Sequence, residues 1–135
     1  MTFFEWKESY NLGIKEIDNQ HRGLFDLITK LSDTKYFKHD EKYFFATLNT
    51  LVKYAELHFG TEERYMNQAG YTKAEEHHQE HLKFLKEVMR LAEELEQKQP
   101  NMQKKILTFL HDWYLNHILG NDRDYVASMK EKGLT

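Results

Sequence analysis

Apolar residues recur three and four positions apart along four separate runs of this chain, a spacing that confines it to helices burying one face each. The first seam reads Ile14, Ile17, His21, Leu24, Ile28, Leu31, and the second Phe44, Leu48, Leu51, Ala55, His58, Glu62. The third reads Ala74, His77, His81, Phe84, Val88, Leu91, Leu95, and the fourth Ile106, Leu110, Trp113, His117. One proline and six glycines in 135 residues leave room for long helices, and no proline falls inside any run.

End signals set the expected boundaries. An arm over residues 1–17, aromatic at Phe3, Phe4 and Trp6 and turning at Gly13, precedes a helix from Asp18, as N-cap, to about Tyr36. A second helix runs from Asp40 to Gln68 and stops at Gly70. The third begins at Thr72, which has capping-box spacing to Glu75, and reaches about Gln97. The fourth starts at Pro100 and ends near Gly120, with a short helix from Asp122 behind it. Short connections favour an all-α fold, an antiparallel up-down-up-down four-helix bundle. At this length the chain forms one domain, with its bundle over 18–120 and a C-terminal segment over 121–135.

A net charge of −3 argues against nucleic acid, whose phosphates require a basic face. The first residues lack a basic segment followed by an apolar run, and no stretch is long and apolar enough to span a membrane. With no cysteine, a reducing cytoplasmic setting is the expectation, and thiolate metal sites and iron–sulfur clusters are excluded.

Histidine interrupts all four seams. His21 lies near the start of the first helix, and His58 with Glu62 near the end of the second. His77 and His81 open the third helix, and His117 closes the fourth. In an up-down-up-down bundle those places share one end, and Asp122, just past Gly120, is close enough to fold back on them. One buried imidazole is ordinarily a hydrogen-bonded core residue, and a single HxxxH recurs by chance. Their conjunction in one layer is different, because each buried polar group without a partner costs roughly 2–7 kcal/mol. A metal removes that cost, and side chains four apart, about 5–6 Å from each other, can share an ion. Structural zinc needs four ligands, whereas His21, His58, Glu62, His77, His81, His117 and Asp122 suit a dinuclear centre. Mixed imidazole and carboxylate ligation favours iron and leaves manganese as the alternative, and the excess of imidazole over carboxylate favours reversible binding over oxygen activation. His39, His78 and His111 fall off the seams and read as surface residues or neighbours of the ligands.

The set His21, His58-x-x-x-Glu62, His77-x-x-x-His81 and His117-x-x-x-x-Asp122 resembles that of the hemerythrins, in particular the bacterial single-domain ones. The likeness runs from Trp6 and Gly13 through Ile17-Asp18-Asn19-Gln20-His21 to Asp122. It implies one iron held by His77, His81 and His117 and another by His21 and His58. Glu62 and Asp122 would bridge the two irons, together with an oxo or hydroxo group. Two six-coordinate irons offer about a dozen positions, and these ligands fill all but one. The iron with two histidines keeps the open position, where molecular oxygen would bind. Phe25, Phe59, Trp113 and Ile118 are the expected apolar wall. The resemblance thus implies an oxygen carrier or store, monomeric, that can deliver to an oxygen-consuming enzyme. It is not expected to be an enzyme itself, since no added acid, base or redox tyrosine is visible in the ligand layer. Sensing, or turnover of peroxide or nitric oxide, are the alternatives.

Overall fold

The computed structural model describes residues 5–32, 41–117, 120 and 122–134. A one-turn 3-10 segment at Glu8–Tyr10 leads into α1 (Lys15–Leu31), followed by α2 (Glu41–Ala69), α3 (Ala74–Glu96) and α4 (Met102–Asn116). Two short pieces, α5 (Asp122–Asp124) and α6 (Val126–Glu131), complete the chain, and no strand occurs among the described residues. Helix α1 packs on α2 and α4, and α3 packs on α2 and α4, which closes a four-helix ring.

Several helix ends differ from expectation. Helix α1 starts at Lys15, three residues early, so 15–17 belong to the bundle and not to the arm. Asp18 is therefore no N-cap. Its carboxylate instead accepts the backbone N–H of Leu12 (2.7 Å) and Gly13 (3.0 Å), pinning the arm before the helix begins. At the other end α1 stops at Leu31, whose carbonyl accepts a hydrogen bond from the Gln103 side chain of α4. The projected end at Tyr36 lies outside the described residues.

Helix α2 ends as expected at Gly70, which takes φ of +66°. There Tyr71 N–H reaches Met66 O (3.0 Å) and Gly70 N–H reaches Asn67 O (3.3 Å), a Schellman closure. The Thr72–Glu75 capping box does not form. Lys73 occupies the N-cap of α3 without a side-chain cap bond, and Glu75 accepts from Gln79 instead. Pro100 lies two residues before α4, because Asn101 in the left-handed region (φ 60°) separates it from the helix.

All six residues of the α1 seam and all six of the α2 seam are buried. In α3 Ala74 is partly covered, and in α4 Trp113 is; their seam neighbours are buried. The apolar core is split in two. A large cluster holds Leu24, Ile28 and Leu31 with Phe44 to Phe59, Phe84 to Leu95 and Met102 to Tyr114. A smaller one holds Leu12, Ile14, Ile17, Met66, Ala69, Tyr125 and Met129. Along α1 the smaller cluster comes before His21 and the larger after it. Along α2 that order reverses about His58 and Glu62, as antiparallel neighbours require. The histidine layer lies between the two.

The arm turns its aromatic side chains inward. Trp6 meets Tyr10 and Phe25 edge-on at 5.4 and 5.6 Å, and the Arg22 guanidinium sits 4.8 Å above its ring. The Arg123 guanidinium also donates to the Ser9 carbonyl, tying α5 to the arm. Phe3 and Phe4 lie outside the described residues. No helix among the described residues is long and apolar enough to cross a membrane.

Candidate metal centre

Four helices bring six polar side chains into one layer. His21 from α1, His58 and Glu62 from α2, His77 and His81 from α3, and His117 at the end of α4 are each no more than 5% exposed. Their candidate ligand atoms form two overlapping groups. One joins His21, His58, Glu62 and His117, the other Glu62, His77, His81 and His117; within each, the ligand atoms lie within 4.8 Å of one another. Glu62 and His117 belong to both.

Glu62 is the hub. Its Oε1 lies 2.5 Å from His58 Nε2, 2.9 Å from His117 Nε2 and 3.6 Å from His81 Nε2. Its Oε2 lies 3.4 Å from His77 Nε2 and accepts the Tyr125 hydroxyl at 2.8 Å. Burial alone would push this carboxyl up. The charge and hydrogen bonds of His117 and His58 outweigh burial and hold it well below the usual carboxylate range.

The imidazoles are oriented from outside the layer. His58 Nδ1 meets Gln20 Oε1 at 2.9 Å, and His81 Nδ1 meets Glu63 Oε2 at 3.2 Å. Both rings then present Nε2 inward, the free lone pair a metal needs. His81 Nε2 is buried without a hydrogen-bond partner among the described residues, since 3.6 Å to Glu62 is beyond hydrogen-bond range. Imidazole nitrogens converging around one carboxylate, with the far nitrogens of His58 and His81 already satisfied, fit a metal centre. Thiolates are absent, and borderline divalent ions suit such donors.

Apolar rings flank the layer. Phe59 stacks on His81 at 3.9 Å, and Trp113 stacks on His117 at 4.6 Å. Phe25 instead packs edge-on against Trp6 and Tyr114, at 5.6 and 6.1 Å. Ile118 lies outside the described residues. Asp122 opens α5, but its side chain also lies outside what the structure describes. A surface cleft of about 300 Å³, lined by Tyr71, Lys73, Glu76, Glu80 and Asp124, has His77 in its wall.

Sequence reasoning missed three residues here. Gln20 and Glu63 sit beside His21 and Glu62 in the chain, and that adjacency was the available signal. Tyr125 is a correction, because the ligand layer does contain a tyrosine. Its hydroxyl comes from a turn after α5, which no helical spacing anticipates. Of the histidines off the seams, His78 is half-exposed and pairs with Glu63 Oε1, His111 is half-buried beside Asp112, and His39 lies outside the described residues.

Residues 12–128 match the family model described as the hemerythrin HHE cation binding domain. A bacteriohemerythrin of Clostridium acetobutylicum is 35% identical over 127 residues, covering 91% of this chain and 98% of its own length. A myohemerythrin of Theromyzon tessulatum is 29% identical, covering 93% of each chain. The crystal structure of a wild-type hemerythrin superposes with a TM-score of 0.84 at 26% identity, covering 94% of this chain and 98% of that one.

Proposed function

Because this chain belongs to the hemerythrin family, we propose that it binds molecular oxygen reversibly at a di-iron centre, as a carrier or store. The observation that carries this reading is the pair of overlapping donor groups, joined through a buried carboxylate, with five imidazoles around it. In this reading His77, His81 and His117 hold one iron and His21 and His58 the other, with Glu62 and Asp122 bridging them. Two irons there would supply the electrons that oxygen takes up on binding and returns to them on release.

The chain's own residues do the rest. Glu62 stays anionic because His58 and His117 hold it so, and it offsets the positive charge of the ions. Gln20 and Glu63 keep two imidazoles aimed inward. Phe59 and Trp113, stacked on ligand rings, exclude bulk water, with Ile118 as the proposed third side of that wall. The whole chain acts as one hemerythrin domain, monomeric and cytoplasmic, able to pass oxygen to an oxygen-consuming enzyme.

Tyr125 favours one second reading, a di-iron enzyme acting on peroxide or nitric oxide, since a hydroxyl in the layer is a group such chemistry uses. Its hydroxyl already donates its hydrogen bond to Glu62, so the carrier reading stands ahead. An anaerobic-to-aerobic optical titration of the reduced, iron-loaded protein, with iron assayed on the same sample, separates the two. Two irons per chain with a visible band that appears with oxygen and vanishes on its removal is the carrier result. Irreversible oxidation without that band moves the protein to the enzyme or sensor class. His58→Ala and His77→Ala should each lower iron content; full iron in both would refute their place as ligands.

A further inference from the structure

We propose that Glu63 adds to the inequality between the two halves of the site, acting through His81 to favour oxidation of the iron on the His77/His81 side first. The inference rests on the di-iron reading above and concerns which half carries the ferric preference.

The two outward nitrogens that the structure pairs differ in partner. His58 Nδ1 faces an amide oxygen, Gln20 Oε1, at 2.9 Å. The orientation of that amide is fixed by its neighbour: Gln20 Nε2 donates to Thr61 Oγ1 at 3.0 Å, and the Thr61 hydroxyl spends its proton on Leu57 O at 3.2 Å. The threonine can therefore only accept, and the amide oxygen must turn to the imidazole. His81 Nδ1 faces a carboxylate oxygen, Glu63 Oε2, at 3.2 Å. The other oxygen of Glu63 is taken by His78 Nδ1, which anchors the carboxylate from the solvent side. Both rings thus donate from Nδ1 and offer Nε2 inward, one to a neutral acceptor and the other to an anion.

An anion on Nδ1–H draws that proton outward and makes Nε2 the richer donor, whereas an amide carbonyl does so weakly. A richer donor stabilises ferric over ferrous iron. The two sides already differ in histidine count and in how they meet Glu62, and the anion behind His81 adds a ferric preference that the amide behind His58 does not. Glu63 is a positioning residue, since it reaches the site through His81.

The test exchanges the two partners. In iron-loaded protein the variants are Glu63→Gln, Gln20→Glu and the double exchange, with each one-electron step measured by spectroelectrochemistry and iron assayed throughout. Glu63→Gln should weaken the ferric preference of the first-oxidised iron about tenfold, raising the first potential by about 60 mV. Gln20→Glu, which leaves Glu63 in place, should narrow the gap between the two steps. Nitrogen NMR of the metal-free protein supplies a readout independent of iron. There the His81 Nδ1 proton should resonate downfield of that of His58, and Glu63→Gln should abolish the difference. Unchanged potentials in both single variants at full iron content, or equivalent Nδ1 protons in the unaltered protein, would overturn the proposal. Failure of the unaltered chain to take up two irons is seen in the iron assay and would instead sink the di-iron reading itself.

Discussion

Glu62 has no exposed surface and touches imidazoles from three helices, yet it remains a carboxylate because those rings and the Tyr125 hydroxyl solvate it in place of water. Removing one of these donors should be costly. Tyr125→Phe leaves a buried oxygen short of a partner and should destabilise the metal-free protein by about 1–3 kcal/mol in urea unfolding. The same environment fixes a pH dependence. The folded-state pKa of Glu62 lies below its ordinary value of 4.5, so its contribution to stability is present above that value. The contribution is lost as pH falls through the depressed folded value. Acid titration of the metal-free protein should therefore show a declining unfolding free energy below the ordinary glutamate range. Glu62→Gln should flatten that decline, and an unchanged acid limb in the variant would contradict this account.

Each helix owes its place to local devices that also serve the site. Asp18 bonds backward to Leu12 and Gly13, so the arm enters α1 at a fixed angle and delivers Ile14 and Ile17 beneath His21. Asp18→Ala releases both amides and should cost about 0.5–2 kcal/mol, the range of a lost helix cap, read as a lower urea midpoint at unchanged slope. Tyr114 joins α4 to α1 by donating from its buried hydroxyl to His21 O at 2.9 Å, beside the imidazole rather than through it. The Schellman closure at Gly70 ends α2 two turns past Glu62 and returns the chain so that α3 presents His77 and His81 to the same layer.

The molecule as a whole is a polar layer between two apolar cores. That arrangement separates what holds the fold from what would hold ions in the proposed function, and the separation can be measured. Leu48, 1% exposed in the larger core, belongs to the fold alone, and Leu48→Ala should cost about 2–5 kcal/mol while iron content stays intact. His81→Ala should do the opposite: iron content should fall, and the rise in melting temperature on iron loading should shrink. An ion present at a hundred times its dissociation constant stabilises by about 2.7 kcal/mol, so the loss is large enough to see. Calorimetry of both variants with and without iron is the check; equal loading shifts in the two would show that fold and site are not separable in this way.

The seams alone determined four helices, their inward faces and the convergence of five histidines and Glu62, because a 3.6-residue period and the cost of burying polar groups act locally and repeat along each helix. Helix ends were less legible. Asp18 and Thr72 carry capping residue types, but whether a side chain caps its own helix depends on which amides tertiary packing leaves within reach. Gly70 was legible, since a positive φ at a helix end needs no partner from elsewhere. Gln20 and Glu63 could be noticed as neighbours of His21 and Glu62, yet their bonds cross to His58 and His81, 38 and 18 residues away along the chain. Tyr125 reaches Glu62 across 63 residues from a turn after α5. Periodicity says which face of a helix is buried, but which nitrogen meets a carboxylate and which an amide is decided only when separate helices are packed together.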